Sequence, residues 1–407
     1  MIDHLEEISI KLREDITDKL EFCKEMTEEE LEEIIADRIS EHCRKEHISL
    51  CERVEIGKMI LHSMRKLDIL QELIDDDDIT EIMVNGYDTI FIEKNGRIIR
   101  SEKRFESGQR FRDVIQQIVA GCNRAVNDAS PIVDARLEGS RVNVVLNPVA
   151  INGPILTIRR FPKNPFTMKQ LTEIGSLGED EALFLKKLVI AGYNILVSGG
   201  TGSGKTTFLN ALSAYIPHDE RIITIEDSAE LQIQGISNLV RLETKNGNAD
   251  GCNSITIRDL IKTSLRMRPD RIIVGEVRGG EAMDMICAAM NCGHDGSMST
   301  VHANSAKDTI ARLETMILTV AEIPVQAIRR QICSGVDIII HLGRMRDKSR
   351  KVLEVTELGC CEGNDVIMNT LYRFEEDDIS TPDHVHGGLK RVGKLIHDEK
   401  LKAAGIA

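Results

Sequence analysis

Apolar residues recur along the chain with two different periods, and the change between them divides it. Over residues 1–74 they fall at helical spacing, and two N-terminal signatures precede periodic stretches: Thr27 with Glu30 before LEEIIADRI, and Ser49 with Glu52 before a longer run. The pattern predicts a small helical bundle. Asp75 to Asp78 follow as an acidic run that reads as a solvated turn or helix start rather than a metal site. From Thr80 the period shortens. ITEIMVNG, DTIFIEKNG and RIIRSEKRF read as strands divided by Gly-containing turns. A helix over Arg110–Cys122 and two strands within SRVNVVLNPVAINGPILTIRRF complete an α+β domain over 75–161, and Pro162 and Pro165 mark a linker over 162–170.

Over 171–407 the apolar runs NILVS, RIITIED, RIIVGEV, GSMSTVHA and VDIIIHL alternate with helical segments. That alternation predicts an α/β domain, a mainly parallel sheet covered by helices, followed by a C-terminal helical and β extension. No apolar run approaches the roughly 18 to 20 residues that cross a bilayer, and the start has no basic flank before an apolar stretch, so a cytoplasmic protein is expected.

Charge changes the picture at one end only. Residues 1–78 hold 11 Lys and Arg against 24 Asp and Glu, a net of −13, while the remainder is close to neutral within a total of −14. An acidic end on a neutral body argues against general nucleic-acid binding, which needs a basic face. The ten cysteines contain no CxxC pair, so reduced, mostly buried thiols are expected and zinc is not.

Candidate chemistry concentrates in the α/β half. GGTGSGKTT places Gly199, Gly200, Thr201, Gly202, Ser203, Gly204, Lys205, Thr206 and Thr207 between a predicted strand and a predicted helix. This spacing suits a phosphate cradle: glycines let backbone amides curl around oxygens, and the helix offers its positive end. Lys205 is expected to reach the β- and γ-phosphates of ATP and the Thr206 hydroxyl to hold Mg²⁺. Two further strands deliver acids to the same sheet edge, Glu276 in RIIVGEV and Glu226 with Asp227 in IITIED. Glu276 is read as a Mg²⁺ partner through water, Arg278 as a group answering phosphate charge, and either Glu226 or Glu276 as the base that activates water. His294 and His302 flank a strand in GHDGSMSTVHANS, read as γ-phosphate contacts or links to a neighbouring subunit, with a buried structural histidine as the rival reading.

In their order, GGTGSGKTT, ITIEDSAEL, LRMRPDRIIVGEVRGGEAMDM and GHDGSMSTVHANS resemble the Walker A, Asp, Walker B and His boxes of type II/IV secretion ATPases. DDDITEIMVNG, EGSRVNVVLNP, GPILTIRRF and RRQICSGVDIIIHLGR are similar to the CpaF-type ATPases of Tad/Flp pilus assembly, over residues 70–360. The resemblance implies a RecA-like P-loop core behind a PAS-like α+β domain, and a homohexameric ring with nucleotide between the two domains. It also implies polytopic platform proteins of the inner membrane as partners, with pilin engaged indirectly. Arg141, Arg159 and Arg160 match positions from which the N-terminal domain contacts nucleotide. A conjugation or type IV secretion ATPase shares all four boxes. Two departures stand out: the tail KRVGKLIHDEKLKAAGIA lacks the family's usual ending, and Cys292 replaces the threonine that opens the His box.

Overall fold

A computed structural model describes residues 2–20, 27–43, 48–94, 96–122, 124–137, 139–162, 164–245, 254–363 and 365–406. The chain forms two compact units, Met1–Lys163 and Asn164–Ala407.

The first unit holds two cores. Helices α1 (Ile2–Leu20), α2 (Glu28–Cys43) and α3 (Leu50–Arg65) bury Ile16, Leu31, Ile35, Ile56 and Ile60 against one another. Both predicted caps are made: Thr27 and Glu30 exchange hydrogen bonds, as do Ser49 and Glu52, which satisfies amide groups that a helix start otherwise leaves open. After α4 (Ile69–Asp75) come β1 (Ile79–Asn85), β2 (Ile90–Lys94), β3 (Arg97–Arg100), α5 (Gly108–Gly121), β4 (Ile132–Leu137), β5 (Ser140–Val145) and β6 (Ile155–Arg160). Among the described residues the six strands form one antiparallel sheet in the order β3-β2-β1-β6-β5-β4. Helix α5 buries Phe111, Val114, Ile115, Ile118 and Val119, a stripe at helical spacing, against the sheet residues Ile82, Val84, Val142 and Ile158. A polar clamp joins the two cores. Arg110 donates to Asp68 and to Ser63 of α3, while Arg13 of α1 reaches Ser63 Oγ (3.0 Å) and Glu106 (2.7 Å).

The second unit runs α6 (Met168–Glu173), α7 (Glu179–Ile190), β7 (Ile195–Gly199), α8 (Lys205–Ser213), β8 (Arg221–Glu226), β9 (Asn238–Glu243), α9 (Ile257–Ser264), β10 (Arg271–Val277) and α10 (Glu281–Asp284). A π-helical turn, Met285–Met290, leads to β11 (Met298–His302), α11 (Ala306–Leu318), α12 (Val325–Gly335), β12 (Ile338–Arg344), β13 (Arg350–Glu362), β14 (Asp365–Glu376), β15 (Gly387–Arg391) and α13 (Glu399–Ala403). Among the described residues one sheet has the order β15-β14-β13-β12-β7-β11-β10-β8-β9. The six strands from β12 to β9 are parallel, and β13, β14 and β15 extend them as an antiparallel arm. Successive residues of a central strand serve opposite layers: Ile195 and Val197 join one core, Leu196 the other. Both faces are covered, which is why β7 is buried throughout and its sequence reads as an unbroken apolar run.

Two strands escape the sequence reading, β4 and β9. IVDARL and NLVRLE carry charges on outward positions and read poorly as strands. The cysteine expectation needs correcting in one respect. All eight cysteines among the described residues are free thiols, but five are partly buried and three exposed, because they sit at helix ends and on the outer arm rather than in the cores.

The divergent tail is a strap across the amino ends of the parallel strands. Buried Glu357 of β13 accepts from the backbone amides of Ile396 (2.9 Å) and His397 (2.7 Å) and from Asn369 Nδ2 (2.7 Å). Lys400 Nζ reaches Asp337 (2.7 Å), Asp295 (2.8 Å) and the Gly192 carbonyl (3.1 Å), and the Tyr193 hydroxyl donates to the His397 carbonyl (2.7 Å). Glu357→Ala strands these donors and is expected to cost about 3 kcal/mol. Urea unfolding should show the loss, and amide exchange should show residues 394–401 exchanging faster; unchanged exchange there would mean that other contacts hold the strap.

Candidate functional site

Strand β7 ends at Gly199, and the chain turns through Gly200–Gly204 into α8. The turn depends on glycine at two places. Gly204 caps α8 with a φ of 90°, in the left-handed region that only glycine adopts freely. A Cβ on Gly199 would lie 2.5 Å from both the Leu342 carbonyl oxygen and Ser203 Oγ. Ser203 Oγ donates to the Gly200 carbonyl (2.9 Å), closing the loop on itself. Gly200, Thr201 and Gly202 form the exposed tip, while Thr206 and Thr207 lie half-buried in the first turn of α8.

Lys205 is only 7% exposed, and its Nζ donates to the carbonyls of Gly199 (3.1 Å) and Gly200 (2.9 Å). A third acceptor is His302 Nδ1 at 3.3 Å. Register explains the meeting: Gly199 lies opposite His302 on β11 and opposite Leu342 on β12, so all three occupy one row at the carboxyl edge. Burial, and then the neighbouring Lys205 charge, lower the His302 pKa, which keeps Nδ1 as an acceptor and leaves the proton on Nε2. Nε2 in turn lies 2.9 Å from Glu276 Oε1, within ion-pair distance but outside hydrogen-bond alignment, so Oε1 is a buried acceptor without a hydrogen bond. Glu276 Oε2 accepts from Arg278 (2.7 Å), whose other nitrogen is 3.7 Å from Asp227. Lys205, His302, Glu276, Arg278 and Asp227 are thus one continuous polar chain from four segments.

Glu226, one of the two acids read as a base, ends β8. It is buried at 3% exposure, with Oε1 accepting the amides of Glu230 (2.9 Å) and Leu231 (2.8 Å) and Oε2 buried without a partner. Burial pushes its pKa up to about 7, although the two amides pull the other way. The neighbouring strand makes room for it: a Cβ on Gly275 would sit 2.9 Å from Glu226 Cγ.

His294 lies apart from the Lys205 cluster within this chain. Its Nδ1 lies 3.0 Å from the Pro269 carbonyl, beside the turns that lead into β10 and β11, at the amino edge of the sheet. The five residues of β11 stand between it and His302, so it does not join the Lys205 cluster. The three arginines belong to the N-terminal unit. Arg160 is engaged there by the carbonyls of Asp76 and Ile79 (3.0 Å) and by Asp77 Oδ1 (3.1 Å). Arg159 is exposed and stands opposite Arg141 in the ladder, with Arg141 3.5 Å from Asp134.

Two contributors were not read from sequence. Arg350 Nε donates to the Gly202 carbonyl (2.9 Å), reaching the loop from the start of the antiparallel arm. His341 sits in an apolar strand, its Nδ1 3.0 Å from Ser198 Oγ beneath the loop, and burial lowers its pKa. Nothing local marks either residue, since their partners Gly202 and Ser198 lie 148 and 143 positions away.

The glycine turn, the buried ammonium at a helix start and the two orphan carboxylate oxygens suit a phosphate-rich ligand with a divalent cation. The chain is 35% identical over 302 residues to a Mycobacterium tuberculosis protein described as a putative conjugal transfer protein, covering 72% of this chain and 85% of that one. It is 33% identical over 310 residues to the type IV secretion system protein PtlH of Bordetella pertussis, covering 68% and 90%. The crystal structure of the Legionella pneumophila ATPase DotB superposes with a TM-score of 0.51 at 19% identity, covering 72% of this chain and 80% of that one, and supports a RecA-like fold for the core. Residues 63–375 match the model of the type II/IV secretion system protein family, and the chain belongs to that family.

Proposed function

We propose that this chain is an ATP hydrolase whose turnover drives conformational work in pilus assembly or secretion. The observation that carries the reading is the unbroken contact from Lys205 through His302 to Glu276 at the start of α8. Lys205 exchanges its two loop carbonyls for the β- and γ-phosphate oxygens, and the N-terminal amides of α8 add their partial positive charge. Among the described residues no three His, Cys, Asp or Glu side chains converge as a metal cage. Thr206 and, through water, Glu276 would hold Mg²⁺, which would supply positive charge to offset the phosphates. His302, neutral with its proton on Nε2, senses whether Lys205 has turned to phosphate. Glu226 is the better base, since a carboxylate poised near pH 7 accepts a proton from water more readily than one already paired with an arginine. Of the N-terminal arginines, Arg141 and Arg159 take the γ-phosphate role, because Arg160 is held by Asp76, Asp77 and Ile79.

In this reading the working form is a homohexamer on the cytoplasmic face of the inner membrane. Its polytopic platform partners pass the motion to pilin, in a Tad/Flp system of the CpaF type, with no stable nucleic-acid partner. The relatives described as conjugal transfer and type IV secretion proteins favour a second reading, a secretion or conjugation motor built on the same site. Genes for two platform proteins and a prepilin beside this one would favour the first.

Turnover of ATP, measured with and without Mg²⁺ across a range of protein concentrations, tests the proposal. Activity should require Mg²⁺, rise cooperatively with assembly, and fall at least about 100-fold in Lys205→Ala, Glu226→Gln and Glu276→Gln. Nucleotide bound tightly without turnover in the assembled wild type would instead make this a nucleotide-dependent scaffold. The pH profile separates the two acids. With Glu226 as base, kcat is full above its pKa of about 7 and is lost as pH falls through that value, because protonation removes the acceptor. A profile flat from pH 8 to 6 would point to Glu276.

A further inference from the structure

Helix α12 packs against β13, and where they meet two thiols face each other: Cys333 Sγ lies 3.2 Å from Cys361 Sγ. The residues are 28 positions apart, and β12 lies wholly between them in the chain. Their juxtaposition is set by the core. Ile328 and Ile332 anchor the inner face of α12, which presents Cys333 at its rim, and Leu358 anchors β13 three residues before Cys361. Both thiols are partly exposed, so a small oxidant can reach the pair. The β13–β14 ladder is irregular between Leu358 and Cys361, which leaves that backbone free of strict pairing at the place where the sulfur must close the remaining gap.

We propose that Cys333 and Cys361 are a modification site, forming a reversible intramolecular disulfide that fastens α12 to β13 when the protein meets a small disulfide oxidant. The order of steps follows from the environment. Burial, and then the adjacent Cys361 sulfur, push the Cys333 thiol well above its usual range, so it is the poorer first nucleophile. The Cys361 thiol loses a proton and attacks the oxidant R–S–S–R, forming Cys361–S–S–R and expelling R–S⁻. Cys333 then gives up its proton and attacks the Cys361 sulfur, expelling the second R–S⁻. Two protein thiols are oxidised to one disulfide, and one oxidant disulfide is reduced to two thiols. The bond closes a loop around β12, the strand whose Leu342 carbonyl seats Gly199.

The test uses the full-length protein and oxidised glutathione, and is independent of nucleotide turnover. Thiol titration should show two thiols lost without lasting glutathionylation at this pair, and non-reducing peptide mapping should find Cys333 linked to Cys361. Cys360→Ser should still form the bond. Cys333→Ser should stop at a glutathione adduct on Cys361, and Cys361→Ser should leave Cys333 reduced. Both variants should melt with the reduced wild type, which shows that they fold. The oxidised wild type should melt about 5 °C or more higher, and the reductant dithiothreitol should reverse the shift. Cys333 still open to alkylation after oxidation, a link from Cys333 to any other cysteine, or a bond without a rise in melting temperature would each overturn the proposal.

Discussion

The parallel register of β12, β7 and β11 is the constraint on which the site depends. It sets Leu342, Gly199 and His302 side by side, and each placement has a chemical consequence. Leu342 presents a carbonyl so close to Gly199 that no larger residue fits, and His302 meets Lys205 one residue past the glycine turn. A slip of one residue in the β7–β11 pairing would turn His302 to the other face of the sheet and break the chain of contacts to Glu276. Backbone pairing thus sets the row in which Leu342, Gly199 and His302 meet.

That register needs a rigid base, and the opposite edge of the sheet supplies it. Asn194, buried just before β7, donates to the carbonyls of Met290 (3.1 Å) and Gly335 (2.8 Å) and accepts the amides of Gly296 and Ser297 (both 3.0 Å). One side chain thus ties together the approaches to three neighbouring strands with all its hydrogen-bonding capacity used, which is the condition under which a buried amide stabilises rather than costs. Buried Arg271 bridges the Val189 carbonyl and Glu220 beside it, and the C-terminal strap closes over the same end. Polar order at the amino edge holds the strands, while the orphan acceptors Glu226 Oε2 and Glu276 Oε1 lie toward the carboxyl edge.

Much of this was legible in the sequence. The glycine turn was, because its conformation is encoded by the glycines themselves, and so were Glu276 and His302, because each directly ends a strong apolar run. Glu226 was legible as a position but not as an environment: its burial and raised pKa depend on Gly275 in another strand and on two amides downstream. His294 misled because its motif places it near His302 in the chain, while a five-residue strand carries the two to opposite edges. Arg350 and His341 were invisible for one shared reason, that their contacts join segments distant in the chain with no local signature.

The central claim is that the Lys205 cluster binds nucleotide phosphates with Mg²⁺. Equilibrium titration with a fluorescent ATP analogue tests it most directly, comparing wild type and Lys205→Ala with and without Mg²⁺. Saturable binding to the wild type that tightens with Mg²⁺ and is lost in the variant is the result this account predicts. Binding that ignores both the metal and the substitution would contradict it.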